Sequence, residues 1–178
     1  MNRHARAALL VELVDLLRQK GSWAGETHLQ KCIYFWQTLR RAPLELEFVL
    51  YHHGPFSFDL RDELSGLIAD GLLQLDHQLP PYGPKFASSS AGRNFCQKFP
   101  RTLGQYREGM SWVAENFGDK NVSELERLAT ALFLYRKHPD LSSEARAQEL
   151  TRIKPHIGHA EALEATRKMD GLAAEIGV

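Results

Sequence analysis

The chain has 178 residues, 43% of them hydrophobic and 25% charged, enough for one domain with a real core or for a small domain with a helical extension. Lysine plus arginine and aspartate plus glutamate both number 22, a formal net charge of +0, so the overall balance carries no nucleic-acid footprint and any anion-binding surface must come from local patterning. The 2 cysteines, Cys32 and Cys96, have no Cys-x-x-Cys spacing, which argues against a disulfide framework or structural zinc and for buried, reduced thiols.

Leu9, Leu10, Leu13, Val14 and Leu17 recur with helical spacing and predict a helix from Arg6 to Lys20, stopped at Gly21. Glu12 and Asp15 interrupt this run soon after the basic N-terminus. A signal peptide is therefore not expected. No stretch approaches the roughly 18 apolar residues of a membrane span, and the expected location is cytoplasmic. Thr27 is the expected cap of a second helix, whose broad apolar face includes Leu29, Cys32, Ile33, Phe35, Trp36 and Leu39 and which ends before Pro43.

From Leu44 to Tyr51 apolar and polar residues alternate, the pattern of a half-buried strand. His52-His53-Gly54-Pro55 breaks it. Ser57 or Asp59 then caps a helix with the stripe Leu60, Leu64, Leu67 and Ile68, stopped at Gly71. A short strand over Leu72 to Leu75 is expected to pair with Phe86 to Ser88 across a proline-rich excursion. Strand, turn, buried helix, strand, loop, strand is the order of a winged-helix-like module.

The remainder reads as helical. Helices are expected from Ser89 or Ser90 through Cys96, from Thr102 to Asn116, and from a Ser123-x-x-Glu126 capping box to Pro139. Two more cover Ser142 to Ile153 and Gly158 to Ile176. The expected fold class is mainly α with a small antiparallel sheet: a winged-helix-like N-terminal half over 1–99 and a helical half over 100–178 packed on it.

The chemistry-bearing residues give no catalytic constellation. There are 8 histidines. His52 and His53 are adjacent and should diverge; His156 and His159 flank Gly158; and spacing gives neither pair a carboxylate partner, so no metal and no cofactor are expected. His28, near a helix start, reads as structural or partner-facing. Ser57 reads as an N-cap, with Asp59, Asp62 and Glu63 favouring the helix dipole. Phe56 and Phe58 flank the turn, so one of them can mark an interface while the other packs the core. A winged helix reads DNA with the helix expected here over Asp59 to Asp70. Asp59, Asp62, Glu63 and Asp70 against Arg61 alone make that a poor phosphate surface. Lys85 on the wing, with Arg93, Lys98 and Arg101 beyond it, supplies the basic residues a nucleic-acid contact would use.

Three motifs carry a resemblance. His28-Leu29-Gln30-Lys31-Cys32-Ile33-Tyr34-Phe35 resembles the LQK-x-x-Y helix of the Panacea, or SocA-like, antitoxin domain and its YwgA-like bacterial relatives. Tyr51-His52-His53-Gly54-Pro55-Phe56-Ser57 resembles their Y-GP-S turn, and Leu60 to Leu73 the L-x-x-L-x-x-x-G-L-L helix behind it. The resemblance implies a helical domain with a small sheet that binds another protein, such as a toxin. It brings no catalytic residues. The functional expectation is thus a non-enzymatic adaptor or antitoxin-like regulator, with His28, Lys31, Tyr34, Tyr51, His52, His53, Phe56, Ser57 and Arg61 as candidate binding residues. The alternatives are a DNA-binding regulator and a hydrolase or nuclease built on Ser57, His52, His53 and Asp59. Another protein is the expected partner, and self-association is left open.

Overall fold

The structure, a computed structural model, describes residues 1–178. Helix α1 (Arg3–Gln19) starts where the Asn2 side chain accepts the Ala5 amide. Its face Leu9, Leu10, Leu13, Val14 and Leu17 is buried, as the spacing predicts. Helix α2 (Glu26–Leu39) is buried on nearly every side, which makes it the central helix. Helix α5 (Pro100–Phe117) packs on one side of it, and helix α6 (Val122–Lys137) with strand β2 (Gly54–Phe56) on the other. The Phe35 and Phe117 rings stack 3.9 Å apart between α2 and α5.

Strand β1 (Val49–Tyr51) pairs antiparallel with β2, joined by His52-His53. Helix α3 (Phe58–Ala69) follows, then strands β3 (Leu73–Asp76) and β4 (Lys85–Ser88), which pair with Leu73 opposite Ser88. Helix α4 (Ser90–Cys96) and the β4 strand lie on α1. Helices α7 (Ser143–Ile153) and α8 (His159–Ile176) close the molecule against α6. The chain is therefore mainly helical with two small antiparallel sheets, and no helix is long and apolar enough to cross a membrane.

Several expectations are corrected. Leu44 to Phe48 keeps the predicted alternation, with Leu44 and Leu46 buried and Glu45 and Glu47 exposed, yet it is not a strand. Gln37 on α2 takes both backbone groups of Leu46, its amide at 2.9 Å and its carbonyl at 2.8 Å, so no ladder can form there. The expected break at Gly54-Pro55 is itself β2, and β1 forms a separate sheet instead of joining the wing. Gly25, not Thr27, caps α2. Pro100 opens α5 at its first turn, where its missing N–H costs nothing. The capping box is Asn121 with Glu124, reciprocal bonds of 3.0 Å, which frees Glu126 for another role. Both cysteines are free and buried, as expected. One apolar cluster of 40 residues draws on both 1–99 and 100–178.

Candidate functional site

The turn from Tyr51 to Ser57 is held from inside by polar side chains that would ordinarily be on the surface. Gln30 on α2 exchanges two 2.9 Å bonds with the Ser57 backbone. Lys31, one residue on, donates from Nζ to the Pro55 carbonyl at 2.8 Å. Lys154, the C-terminal cap of α7, donates to the Tyr51 carbonyl at 2.8 Å and to the His52 carbonyl. A buried carbonyl needs a donor, and two lysines supply donors to three carbonyls of one short turn.

Both ammoniums share one carboxylate. Glu126 on α6 is 5% exposed, beside Lys31 at 1% and Lys154 at 6%. Its Oε1 lies 3.4 Å from Lys154 Nζ and 3.4 Å from His156 Nε2, and its Oε2 lies 3.7 Å from His53 Nδ1. None of these contacts gives Oε1 a hydrogen bond, so the attraction there is Coulombic. Two buried cations against one buried anion leave Lys31 undercompensated. Burial lowers its pKa to about 8; Glu126 opposes that shift, and Lys154 adds to it. Between pH 8 and the ordinary lysine value of 10.5 the folded state has released this proton and the unfolded state has not. Lys31 therefore makes stability rise with pH across that window, by at most about 3 kcal/mol. Urea unfolding between pH 7.5 and 10.5 should show a rise in wild type that Lys31→Met lacks; parallel curves would refute the assignment.

Gly54 lets the turn approach α6. Its φ is +85°, and a Cβ there would lie 2.8 Å from Thr130 Oγ1 and 3.6 Å from Lys31 Cε. Gly54→Ala is expected to cost about 2–3 kcal/mol, from left-handed strain of about 1–2 kcal/mol plus the collision. Adding Thr130→Ala should recover the collision part and leave the strain. Thermal melts of the two variants check this; no recovery in the double variant would show that the Thr130 contact is not the obstacle.

Outside this anchor lies an aromatic surface. Tyr51 is 43% and Phe58 49% exposed, while Phe56 is buried between them. The Tyr51–Phe56, Tyr51–Phe58 and Phe56–Phe58 ring centroids are 5.6, 5.7 and 5.2 Å apart. The Arg61 guanidinium lies 4.5 Å from the Phe56 centroid and bonds Glu26 Oε1 through Nε at 2.9 Å. Beyond Arg61, α2, α3 and the β3–β4 hairpin enclose a cleft of about 950 Å³ that includes Trp23, His28, Tyr82 and Lys85.

The structure brings some of the expected residues together and disperses others. Lys31, His52, His53 and Ser57 belong to the anchored turn. Tyr51, Phe56 and Arg61 form the surface above it. His28 is buried at the cleft. Tyr34 is buried between Phe35 and Phe48, and burial raises its phenol to about 12, a core role instead of the expected contact. Ser57 is fully buried with its hydroxyl accepting the Leu60 amide, so it is a cap and not an exposed contact or a nucleophile in reach of solvent. Of the basic candidates, Lys85 faces the cleft, Arg93 folds back on Ser88 at 2.9 Å, and Lys98 and Arg101 are exposed without ion pairs. Only Lys85 shares a cleft with α3. There, Glu63 pairs with Arg6 at 2.5 Å and Asp70 with Arg3 at 3.7 Å, leaving Asp59 and Asp62 outward.

Glu126, Lys154 and His156 were not among the expected site residues. One signal existed. Glu126 and Thr130 are one helical turn apart and fall beside the buried Leu125 and Ala129, so the inward face of α6 carries polar groups needing partners. The fold thus defines a helical protein with a lysine-anchored aromatic turn. Searches against protein-family models and curated proteins find no match to the chain.

Proposed function

We propose that this chain is a protein-binding module, an adaptor or antitoxin-like regulator that docks another protein through Tyr51, Phe58 and Arg61. The observation that carries the reading is an exposed aromatic pair beside a turn whose backbone is held from below by buried charged donors. Binding hot spots favour rigid aromatic and arginine side chains on a water-excluding surface. Side chains presented from an ordered backbone lose less entropy on association than those of a mobile segment. Val49, 40% exposed on the free edge of β1, extends the apolar area. A nucleic-acid reading is disfavoured by Asp59 and Asp62 on the same helix face, which would repel phosphates.

The test is quantitative affinity capture from the source cells with wild-type and Tyr51→Ser/Phe58→Ser baits. Both side chains are exposed, so the melting temperature should change little. A partner retained by wild type and lost by the double variant, then reconstituted from purified components, is the expected outcome. Partners captured equally by both baits would reject this surface. Salt-sensitive binding of duplex DNA by both would favour the DNA-binding alternative.

A further inference from the structure

We propose that the cleft between α3 and the β3–β4 hairpin is a binding site for a planar aromatic anion. The site does not depend on the protein-docking reading, although Arg61 borders both. Its volume of about 950 Å³ lies within the range of ligand sites. Leu64, Ile68 and Phe86 give it apolar lining. Trp23 and Tyr82 stand 5.1 Å apart at its wall, and Tyr82 is 63% exposed, so the tyrosine ring offers an open face for stacking.

This cleft holds free hydrogen-bond donors. Its two carboxylates are already engaged, Glu26 with Arg61 at 2.9 Å and Asp119 with Lys120 at 3.6 Å. Lys85 makes no ion pair; its ammonium sits 3.7 Å from the Trp23 centroid. At the same wall, Gly25 caps α2 without any side-chain acceptor, and the amides of Glu26, Thr27 and His28 have no acceptor within the chain. A Cβ on Gly25 would lie 3.0 Å from Trp23 Cδ1 and 3.6 Å from the Pro84 carbonyl. The helix start, Trp23 and the entry to Lys85 are therefore one locus.

His28 places no opposing charge at this wall. It is 5% exposed, borders the cleft, and accepts no ion pair. Burial lowers its pKa, against the raising effect of the Lys120 backbone, so near neutral pH the ring is uncharged. Its ring faces the Lys120 backbone. A cation, a free helix start and an open aromatic face together fit an anion carried on a flat ring. That group could be a free aromatic carboxylate or the terminal carboxylate of a peptide ending in an aromatic residue.

The experiment is fluorescence titration of the full chain with anilinonaphthalene sulfonate, a planar aromatic anion, and with neutral N-phenylnaphthylamine. The sulfonate should bind about tenfold more tightly than the neutral dye, and Lys85→Gln should erase most of that preference, since a charge-assisted contact carries that magnitude. Amide chemical shifts of Gly25 to His28 should move on titration. An unchanged urea midpoint for Lys85→Gln shows that the variant is folded. Indole acetate and acetyl-Ala-Ala-Trp are then competed against the sulfonate, and the better competitor identifies the source of the anion. Equal affinity for both dyes, no effect of Lys85→Gln, shifts confined to Tyr51 and Phe58, or displacement by neither competitor would each overturn the proposal.

Discussion

Glu126→Gln is expected to destabilise the protein by about 3–5 kcal/mol, the range for breaking a buried ion pair by removing one partner. The substitution keeps shape and volume, so the loss measures charge. Glu126 pairs with Lys154 and acts on Lys31 more strongly than Glu26 does, and Glu126, Lys31 and Lys154 are all nearly inaccessible to water. Without it two cations stay buried, and each is still bound to turn carbonyls that hold it in place. Equilibrium urea denaturation at pH 7 gives the number. Lys31→Met should cost less, because it leaves Lys154 and Glu126 as a neutral pair and strands only the Pro55 carbonyl. A surface control is Arg127→Gln, whose 3.0 Å pair with the half-exposed Glu161 is worth about 0–1 kcal/mol. If Glu126→Gln behaved like this control, the buried cluster would not be what holds the turn.

The second large effect falls far from the turn. Gly92→Ala is expected to cost about 3 kcal/mol or more, at the upper end for overpacking. A Cβ there would meet the Leu72 carbonyl oxygen at 2.1 Å and its carbon at 3.0 Å, both backbone atoms. The same carbonyl accepts the Ser89 amide at 3.1 Å, so it cannot swing aside without breaking that bond. Val11 Cγ1 at 3.3 Å is a lesser obstacle. Trimming it in Gly92→Ala/Val11→Ala should therefore restore nothing and add a cavity. Calorimetric melts of both variants decide the point. A double variant more stable than Gly92→Ala would place the collision at Val11 and not at the backbone. This behaviour contrasts with Gly54, where the nearest obstacle is a side chain and a second substitution should help.

These two sites also show where local pattern stops being informative. The helices of α1, α4, α7 and α8 and the hairpin β3–β4 follow from apolar spacing and from Ser89 and Ser142 at helix starts, because those signals act within one turn of chain. Ser57 as a cap was legible for the same reason. The role of Lys31 was not, since its position within the LQK run says nothing of a carbonyl 24 residues later. Glu126 was misread as part of a capping box because a Ser-x-x-Glu spacing is real in the sequence, while Asn121 with Glu124, two residues earlier, wins in the fold.

By itself the sequence determined the helical class, the small antiparallel pairing, the chain reversal at His52-His53 and the acidic character of α3. Each depends on periodicity or on residue type within a few positions. Only the tertiary structure decided that Phe56 is buried and Phe58 exposed, that Ser57 is sealed from solvent, and that Leu44 to Phe48 alternates without forming a ladder. It alone joined Lys31, Glu126, Lys154, His53 and His156, drawn from α2, α6, the end of α7 and two turns. The physical reason is that a buried charge is tolerated where its partners converge, and convergence is a property of packed elements that no single stretch of chain contains.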